Sequence, residues 1–294
     1  MLQPTPEQLQ LLSRKERVLF KLGDVFARRF KPIGMVWNRT FMYALLWVGC
    51  CRRFHVHGTE HVRVLKRTDS VLMVCNHRTF FDFFAICYAI FSRGRGWWRV
   101  FFPVRKRFFY DQVLGGFVNM LMGGMAMFPP IMRSREQIAF NDYSIRRTVE
   151  ELAVPNTLIG IHPEGTRNKT EDPFTFLRLH AGAGRIALAA ENAVIQPIFV
   201  LGLSSKMRSE IYKNWFTPKA WPVHVWFGEP VDLRDLREKE DSPQVHMEAT
   251  RRIMDHVEAL AQQHKALVLS GEIPMPPTSP AQTRKQPKPG HLST

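Results

Sequence analysis

Cysteine is scarce in this chain of 294 residues, and its few cysteines form no recognisable set. They are Cys50, Cys51, Cys75 and Cys87, with no CxxC pair and no histidine at the spacing of a zinc ligand. We therefore expect neither a structural metal site nor a disulfide framework. The first ten residues, MLQPTPEQLQ, also lack the basic start and apolar core of a secretory signal, so we expect reduced thiols in the cytosol.

Acidic residues are also in short supply, because 26 Asp and Glu stand against 41 Lys and Arg, for a formal net charge of +15. Such an excess of positive charge draws a protein towards anionic surfaces or ligands, and nucleic acid and phospholipid are the two obvious classes. Nucleic acid is the weaker of the two, since the chain has no RNP, KH or zinc-finger signature. The length and the 45% apolar composition suffice for one large domain with a sizeable core.

The N-terminal region has no apolar run of the roughly 20 residues that a membrane-spanning helix needs. Residues 8–31 carry apolar side chains at helical spacing with basic residues around them, which predicts a basic amphipathic helix. Residues 41–51, FMYALLWVGCC, form a short apolar run flanked by arginines. Two helices of a soluble bundle would give the same pattern, but Trp37 and Trp47 favour a pair of helices that lie in a membrane interface.

Two later segments point to lipid without requiring it. Residues 92–109 interleave arginine and lysine with tryptophan and phenylalanine, a pattern typical of membrane headgroup contact or of a groove for single-stranded nucleic acid. Residues 112–132 are uncharged, but their glycine pairs and Pro129–Pro130 would break a membrane helix. They are either a helix followed by a buried strand or the Met- and Gly-rich wall of an acyl-chain groove, and the two interpretations are compatible.

The rest of the chain alternates between strand and helix patterns, which predicts an α/β fold with a mixed, largely parallel sheet flanked by helices. Strands are predicted at VLMV (71–74), TLIGI (157–161), IQPIFVL (195–201) and PVHVWF (222–227). Helices are predicted near residues 79–92, 135–153, 180–192 and 243–267. We divide the chain into membrane-associating helices (1–58), an α/β domain (59–268) and a Pro-rich, basic, disordered tail (269–294).

The first candidate motif, NHRTFFD, places a histidine and an aspartate just after the first predicted strand. His77 falls in the strand-to-helix turn and Asp82 in the first helical turn, so their side chains fold towards each other. A carboxylate on one imidazole nitrogen fixes the tautomer and leaves the other nitrogen free as a general base. The alternative is purely structural, since Thr79 and Asp82 also form a capping-box pattern and His77 could be an ordinary turn residue.

The second candidate motif, HPEGTR, follows the second predicted strand. Around Gly165 and Thr166, the loop amides and Arg167 could hold a phosphate while Glu164 meets a hydroxyl, although a plain strand-ending turn has the same composition. In an open α/β sheet the ligand site lies outside the carboxyl ends of parallel strands. We therefore expect both motifs at one edge of the sheet, in one site.

Together the two motifs resemble a known family. NHRTFFD resembles the NHxSxxD block, and HPEGTR the FPEGTR block, of the glycerolipid acyltransferases typified by 1-acylglycerol-3-phosphate acyltransferase. The resemblance runs from about residue 70 to 205 and includes Arg133 after the glycine-rich stretch. It implies a membrane-associated enzyme on the cytoplasmic face that moves a fatty acyl group from acyl-CoA or acyl carrier protein to a lysophospholipid hydroxyl. The implied roles are a base and its partner, His77 and Asp82, and an acceptor-binding set, Glu164, Gly165, Thr166, Arg167 and Arg133.

The chemistry of this reaction agrees with what the chain offers. A thioester is already activated, so attack by an alcohol needs deprotonation and positioning but no covalent enzyme intermediate, metal or cofactor. The chain departs from the family pattern at Thr79, where serine is usual, at His162, where the residue is usually apolar or aromatic, and at His180, where lysine is common. These departures leave the acceptor open, so glycerol-3-phosphate or a lysolipid with another headgroup is an alternative. A non-catalytic basic protein that binds membranes or nucleic acid is the alternative from another class.

Overall fold

A computed structural model describes residues 2–66, 68–93, 98–106 and 113–274 of the chain. Most of the predicted tail and part of the basic and aromatic segment 92–109 lie outside the described residues. The helices are α1 (Pro6–Gln10), α2 (Arg14–Arg29), α3 (Lys31–Trp37), a π-helix (Asn38–Met42), α4 (Tyr43–Cys50), α5 (Thr59–Arg63), α6 (Asp82–Arg93), α7 (Val113–Gly123), α8 (Phe140–Leu152), α9 (Gly182–Ala189), α10 (Met207–Phe216), α11 (Arg234–Arg237) and α12 (Pro243–Leu269), with short 3-10 turns at Arg135–Gln137 and Pro218–Ala220.

A sheet of six strands forms the centre of the fold. The strands of the described residues, of which six form this sheet, are β1 (Phe54–His57), β2 (Ser70–Cys75), β3 (Arg99–Phe101), β4 (Val104–Arg105), β5 (Pro130–Ile131), β6 (Thr157–Ile161), β7 (Ala193–Leu201) and β8 (Val223–Phe227). The six-stranded order is β1-β8-β7-β2-β6-β3, and β4 and β5 form a separate parallel pair. Among the described strands of the large sheet, only β7 and β8 pair antiparallel, which confirms the prediction of a mixed, largely parallel sheet.

The sheet is buried on both faces by helices. Every residue of β2 is buried, as expected for a continuous apolar strand at the centre of a parallel sheet. Its side chains alternate between two cores: Leu72 and Val74 pack in a cluster with residues of α8, α9 and α12, whereas Val71 and Met73 pack with residues of α4 and α6. The strand period of two therefore supplies both cores from one strand.

The N-terminal helices pack onto this sheet and its helices. They differ from the prediction of one helix over residues 8–31. The single helix predicted over residues 8–31 is divided, because Ser13 starts α2 with a capping box: its hydroxyl accepts from the Glu16 amide, and the Glu16 carboxylate accepts from the Ser13 amide. Phe20 of α2 is buried against Phe128 and Phe140. Among the residues that the structure describes, no helix combines the length and the apolar character needed to cross a bilayer.

Two further segments, strand β1 and residues 112–132, can be compared with the sequence-based predictions. Strand β1 pairs with β8, so the sheet begins before the boundary predicted at residues 58/59; the division into three parts stays a prediction. The segment 112–132 contains α7 followed by the short strand β5, in line with the helix-then-strand interpretation. Gly34 and Gly124 let α3 and the end of α7 approach closely, because a Cβ on Gly34 would lie 2.7 Å from the Gly124 carbonyl oxygen.

Candidate active site

The two sequence motifs meet at one edge of the sheet, as their positions predicted. Strands β2 and β6 are parallel neighbours, with Val74 opposite Ile161, so both chains leave the sheet side by side at their carboxyl ends. The backbone amide of His77 donates to Glu164 Oε1 at 2.9 Å, which ties the first motif directly to the second. The candidate site is therefore built on the two loops that follow β2 and β6.

His77 and Asp82 form a hydrogen-bonded pair in this site. His77 Nδ1 lies 3.2 Å from Asp82 Oδ2. The Asp82 side chain is buried, whereas that of His77 is 21% exposed. Within the described part of the chain, the other ring nitrogen, Nε2, has no hydrogen-bond partner. The imidazole is thus held from inside by a carboxylate and presents its second nitrogen outward.

The Asp82 carboxylate also caps the start of α6. Its Oδ2 accepts from the amides of Arg78 and Thr79 at 2.7 and 2.8 Å, and its Oδ1 accepts from the Thr79 hydroxyl at 2.6 Å. Burial by itself would raise the pKa of Asp82, but the hydrogen bond and charge of His77 and the Thr79 hydroxyl help to hold that pKa below its ordinary value. One carboxylate therefore both caps the helix and bonds to the histidine ring, and the catalytic interpretation of the motif stays a prediction.

His162 stacks on the face of His77. The two ring centroids are 3.9 Å apart with an interplanar angle of 11°, and His162 Nδ1 lies 2.9 Å from the carbonyl oxygen of Asn76. Burial and the neighbouring His77 lower the pKa of His162 to about 3, so its ring is neutral and Nδ1 donates to that carbonyl. In the sequence, His162 stood out only as a departure from a family pattern. Its position directly after the strand that pairs with β2 could have indicated that it lies beside His77.

Glu164 lies beneath the loops and faces away from solvent. Its two oxygens accept from the backbone amides of His77 and Leu177, each at 2.9 Å, and its side chain is buried. Burial raises the pKa of Glu164 above its ordinary value, against the lowering effect of those two hydrogen bonds. Both carboxylate oxygens are therefore used to fix backbone, and the predicted contact with an acceptor hydroxyl has no support in this geometry.

The remaining predicted residues gather around Gly165. Gly165 has φ +57°, and a Cβ there would lie 3.1 Å from His180 and 3.2 Å from Arg133, so glycine suits both the backbone and the space. Arg133 Nη2 donates to the Gly165 carbonyl at 3.2 Å. Arg167 is exposed, with Nη1 3.4 Å from the Ser205 hydroxyl, and Thr166 occupies the same turn between them. The Arg133 guanidinium thus contacts the turn, and the Arg167 guanidinium reaches the loop that follows β7; guanidinium groups are suited to binding a phosphate.

Two residues of the first motif that sequence reasoning did not single out also hold the site together. The Asn76 side chain pairs with both backbone groups of Val200 on β7, at 2.8 Å each, and so fixes the end of β2 to its other neighbour. Arg78 donates to the carbonyl oxygens of Thr170 and Asp172, at 2.6 and 3.3 Å, and so ties the loop after HPEGTR to the first motif. Their position inside a motif directly after a buried strand could have indicated this role for both residues.

Comparisons with known proteins identify the family of the chain. A family model described as Acyltransferase matches residues 53–201, just over half of the chain. Among solved structures, the chain is similar to the crystal structure of the 1-acyl-sn-glycerophosphate (LPA) acyltransferase PlsC from Thermotoga maritima. The identity is 16%, the TM-score is 0.49, and the match covers 88% of this chain and 97% of that chain. No curated protein matches the chain.

Proposed function

Because the chain belongs to the Acyltransferase family, an enzyme family that its two motif blocks already indicated, we propose which acyl transfer it performs. It moves a fatty acyl group from a thioester, on coenzyme A or acyl carrier protein, to the free hydroxyl of 1-acylglycerol-3-phosphate or a similar lysophospholipid. The observation that carries the proposal is the His77–Asp82 pair at 3.2 Å, with one ring nitrogen left outward beside the arginine-flanked Gly165 turn.

In the proposed mechanism His77 acts as a general base and then as a general acid. Asp82 keeps the proton on Nδ1, so Nε2 takes the proton of the acceptor hydroxyl while that oxygen attacks the thioester carbonyl. The new C–O bond forms, the C–S bond breaks, and the departing sulfur takes the proton back from His77. The Asp82 carboxylate stabilises the imidazolium between these two steps, so no covalent enzyme intermediate is required.

The Gly165 turn supplies the proposed site for the acceptor phosphate. Arg133 donates to the carbonyl of this turn, and Arg167 follows Gly165 by two residues. Charge-assisted hydrogen bonds from these guanidinium groups to a phosphate would orient the neighbouring hydroxyl towards Nε2 of His77. The nearby His180 adds no fixed charge at neutral pH, because burial, together with Arg133 and Arg178, lowers the pKa of His180. We assign Glu164 to positioning, since both of its oxygens hold the backbone of the two loops.

The outer surface of the first helices supports association with an anionic membrane on its cytoplasmic face. The structure exposes apolar side chains on α2, α3 and α7 and at Phe30, which joins α2 to α3; those on the helices are Val18, Leu22, Val25, Ile33, Val36, Leu114, Phe117 and Met120. Exposed basic residues stand beside them on α2, namely Arg14, Lys15, Lys21 and Arg29. An apolar surface with a basic border is typical of a protein that lies in the headgroup region. We refer to these exposed apolar residues of α2, α3 and α7, together with Phe30, as the N-terminal face.

The decisive experiment measures thiol release from acyl-CoA with lysophosphatidate as acceptor, for the wild type, His77→Ala and the matched control His256→Ala on the exposed surface of α12. Loss of a general base lowers rates by roughly 10²–10⁴-fold, so we expect that loss for His77→Ala and none for His256→Ala. Unchanged thiol release by His77→Ala would overturn the mechanism.

A panel of acceptors distinguishes the proposal from its alternatives. Lysophosphatidate, glycerol-3-phosphate and lysolipids with other headgroups share the reacting hydroxyl but differ in the phosphate and the acyl chain. If the Arg133 and Arg167 side chains bind a terminal phosphate, lysophosphatidate has a higher kcat/KM than lysolipids with larger headgroups. Preference for glycerol-3-phosphate would replace the proposed acceptor but keep the His77 mechanism.

A further inference from the structure

Helix α10 turns its polar residues inward and its aromatic residues outward. Glu210 and Asn214 are buried, while Tyr212, Trp215 and Phe216 are 57%, 40% and 73% exposed. A helix on a water-facing surface normally has the opposite arrangement, with apolar residues towards the core. Three neighbouring aromatic side chains on one exposed face indicate a partner that is not water.

The buried polar residues fix this orientation of the helix. Glu210 forms an ion pair with the buried Arg53, and its Oε1 accepts from the Ser204 hydroxyl at 2.6 Å. Asn214 donates to the carbonyl of Val48 and accepts from the amide of Arg52, both at 2.9 Å. Turning the aromatic residues inward would leave these buried polar groups unpaired, at a cost of about 1–3 kcal/mol each. The outward face is therefore a fixed feature of the fold.

The exposed aromatic residues form one continuous surface with α4. Tyr212 and Phe216 stack with ring centroids 5.1 Å apart, and Trp215 meets Trp47 of α4 edge to face at 6.1 Å. Trp47 is itself exposed. We refer to Tyr212, Trp215, Phe216 and Trp47 as the α10 stripe. Tryptophan and tyrosine are the residues that proteins place at the level of lipid headgroups.

The charges around the α10 stripe are positive. The exposed ionisable residues between positions 204 and 222 are Lys206, Arg208 and Lys219, and the exposed Arg52 guanidinium lies 5.8 Å from the centre of the Trp215 ring. The one acidic residue between positions 204 and 222 is Glu210, which is buried and paired with Arg53 and Lys213. No exposed carboxylate in that segment would repel a phosphate, so the stripe complements an anionic lipid surface.

We propose that the α10 stripe is a second membrane contact, which inserts into the headgroup region of an anionic bilayer in addition to the N-terminal face. The inference rests on the membrane association in the proposed function. It also gives α10 a place in acyl transfer, because the preceding loop joins the site: the Ser205 hydroxyl accepts from the Phe80 amide at 3.1 Å and lies 3.4 Å from Arg167. Contact at α10 holds the Gly165 turn at the surface where a lysophospholipid resides.

The test uses the full chain and the double substitution Tyr212→Ser with Phe216→Ser. Trp215 is kept, because its Nε1 donates to the Val48 carbonyl at 3.0 Å and its removal would disturb packing. The measurement is partition into phosphatidylcholine vesicles with added phosphatidylglycerol. Withdrawing two aromatic side chains from the interface weakens partition by at least about tenfold. The matched control, Val64→Ser with Leu269→Ser, removes two exposed apolar residues elsewhere and leaves partition unchanged.

A third variant separates this inference from membrane association as such. Phe30→Ser with Ile33→Ser removes exposed residues of the N-terminal face. If only that variant weakens partition, the α10 contact is overturned while membrane association stands; if neither variant weakens it, both fail. Sedimentation velocity without lipid measures the oligomeric state and tests whether the stripe is instead a dimer interface. A wild-type dimer that becomes monomeric in Tyr212→Ser with Phe216→Ser would make the stripe a dimer interface and overturn the proposal.

Discussion

The residues that the structure describes include two groups of stacked histidines, and in that part of the chain one group pairs with a carboxylate and the other does not. At the carboxyl ends of β2 and β6, His77 stacks on His162 and forms a hydrogen bond with Asp82. The other group, the β1–β8 cluster, comprises His55, His57, His224 and His264. Its described ring hydrogen bonds join His57 to His224 and the Trp226 indole to His264.

This difference shows what the carboxylate adds. Burial and neighbouring histidines lower the pKa of His57 and His264 to about 4 and that of His224 to about 2, so these three rings are neutral near pH 7 and pack against one another. At the site, the Asp82 carboxylate lies against a partly exposed ring and can stabilise its protonated form. The same side chain is thus the proposed base in one place and a packed residue in the other.

The largest expected effect comes from removing the carboxylate that distinguishes the two groups. Asp82→Asn keeps an oxygen that can accept from the Arg78 and Thr79 amides, but it removes the charge that stabilises the His77 imidazolium. We expect kcat to fall by roughly 10²–10⁴-fold. A thermal unfolding curve checks that the variant is folded. Wild-type kcat in the folded variant would show that the two histidine groups do not differ in the way proposed.

A smaller effect is expected from the cations that stand beside the site. Arg133→Ala removes a guanidinium next to Gly165, and a charge-assisted hydrogen bond to phosphate contributes about 1.5–3 kcal/mol. We expect kcat/KM for lysophosphatidate to fall by about 10–100-fold, mainly through KM, with Arg133→Lys in between. Equal losses for an acceptor with no phosphate would contradict a phosphate contact.

The pH dependence of stability tests the β1–β8 cluster. The pKa of His264 is depressed when folded, so its contribution to stability is complete above the unfolded value near 6.5 and is lost as pH falls towards about 4. On the order of 1–3 kcal/mol should be lost per buried histidine. Urea unfolding at pH 7.5 and pH 5 measures this loss, which we expect to be smaller in His264→Leu. An identical loss in both proteins would assign it to other groups.

The smallest expected effect concerns the ring that supports His77. His162→Ala removes a stacked neighbour, and aromatic pairs contribute about 0.5–1.5 kcal/mol, so we expect a fall in kcat of roughly 2–10-fold with KM unchanged. His162→Phe restores a flat ring and should recover most of the rate. If His162→Phe is as slow as His162→Ala, the Nδ1 hydrogen bond to Asn76 matters more than the stack.

Much of the fold could be predicted because apolar runs identify buried strands. The four predicted strands correspond to β2, β6, β7 and β8, whose residues are almost entirely buried. Strand β1, FHVH, was missed because it is short, rich in histidine and only half-buried at the sheet edge. Helix α10 was missed because its aromatic residues face outward, so its pattern does not mark a core-facing side.

The site could be predicted in outline for a related reason. Parallel strands bring their following loops to one edge, which was enough to expect His77 and Asp82 beside the Gly165 turn. The stacking of His162 on His77, and the hydrogen bonds that Glu164 accepts from two backbone amides, depend on strand register and on the direction in which a buried side chain points. Neither can be read from one sequence; the contact expected between Glu164 and a hydroxyl stays a prediction, beside the positioning role that we propose.

The central claim is that His77, and no other histidine of the two groups, takes the proton of the acceptor. The most direct test measures thiol release from acyl-CoA and acylation of lysophosphatidate by His77→Gln and by His57→Gln, the latter from the β1–β8 cluster. The account predicts that both products fall together by roughly 10²–10⁴-fold in folded His77→Gln and stay within about threefold of wild type in His57→Gln. Near-wild-type acylation by His77→Gln would contradict it.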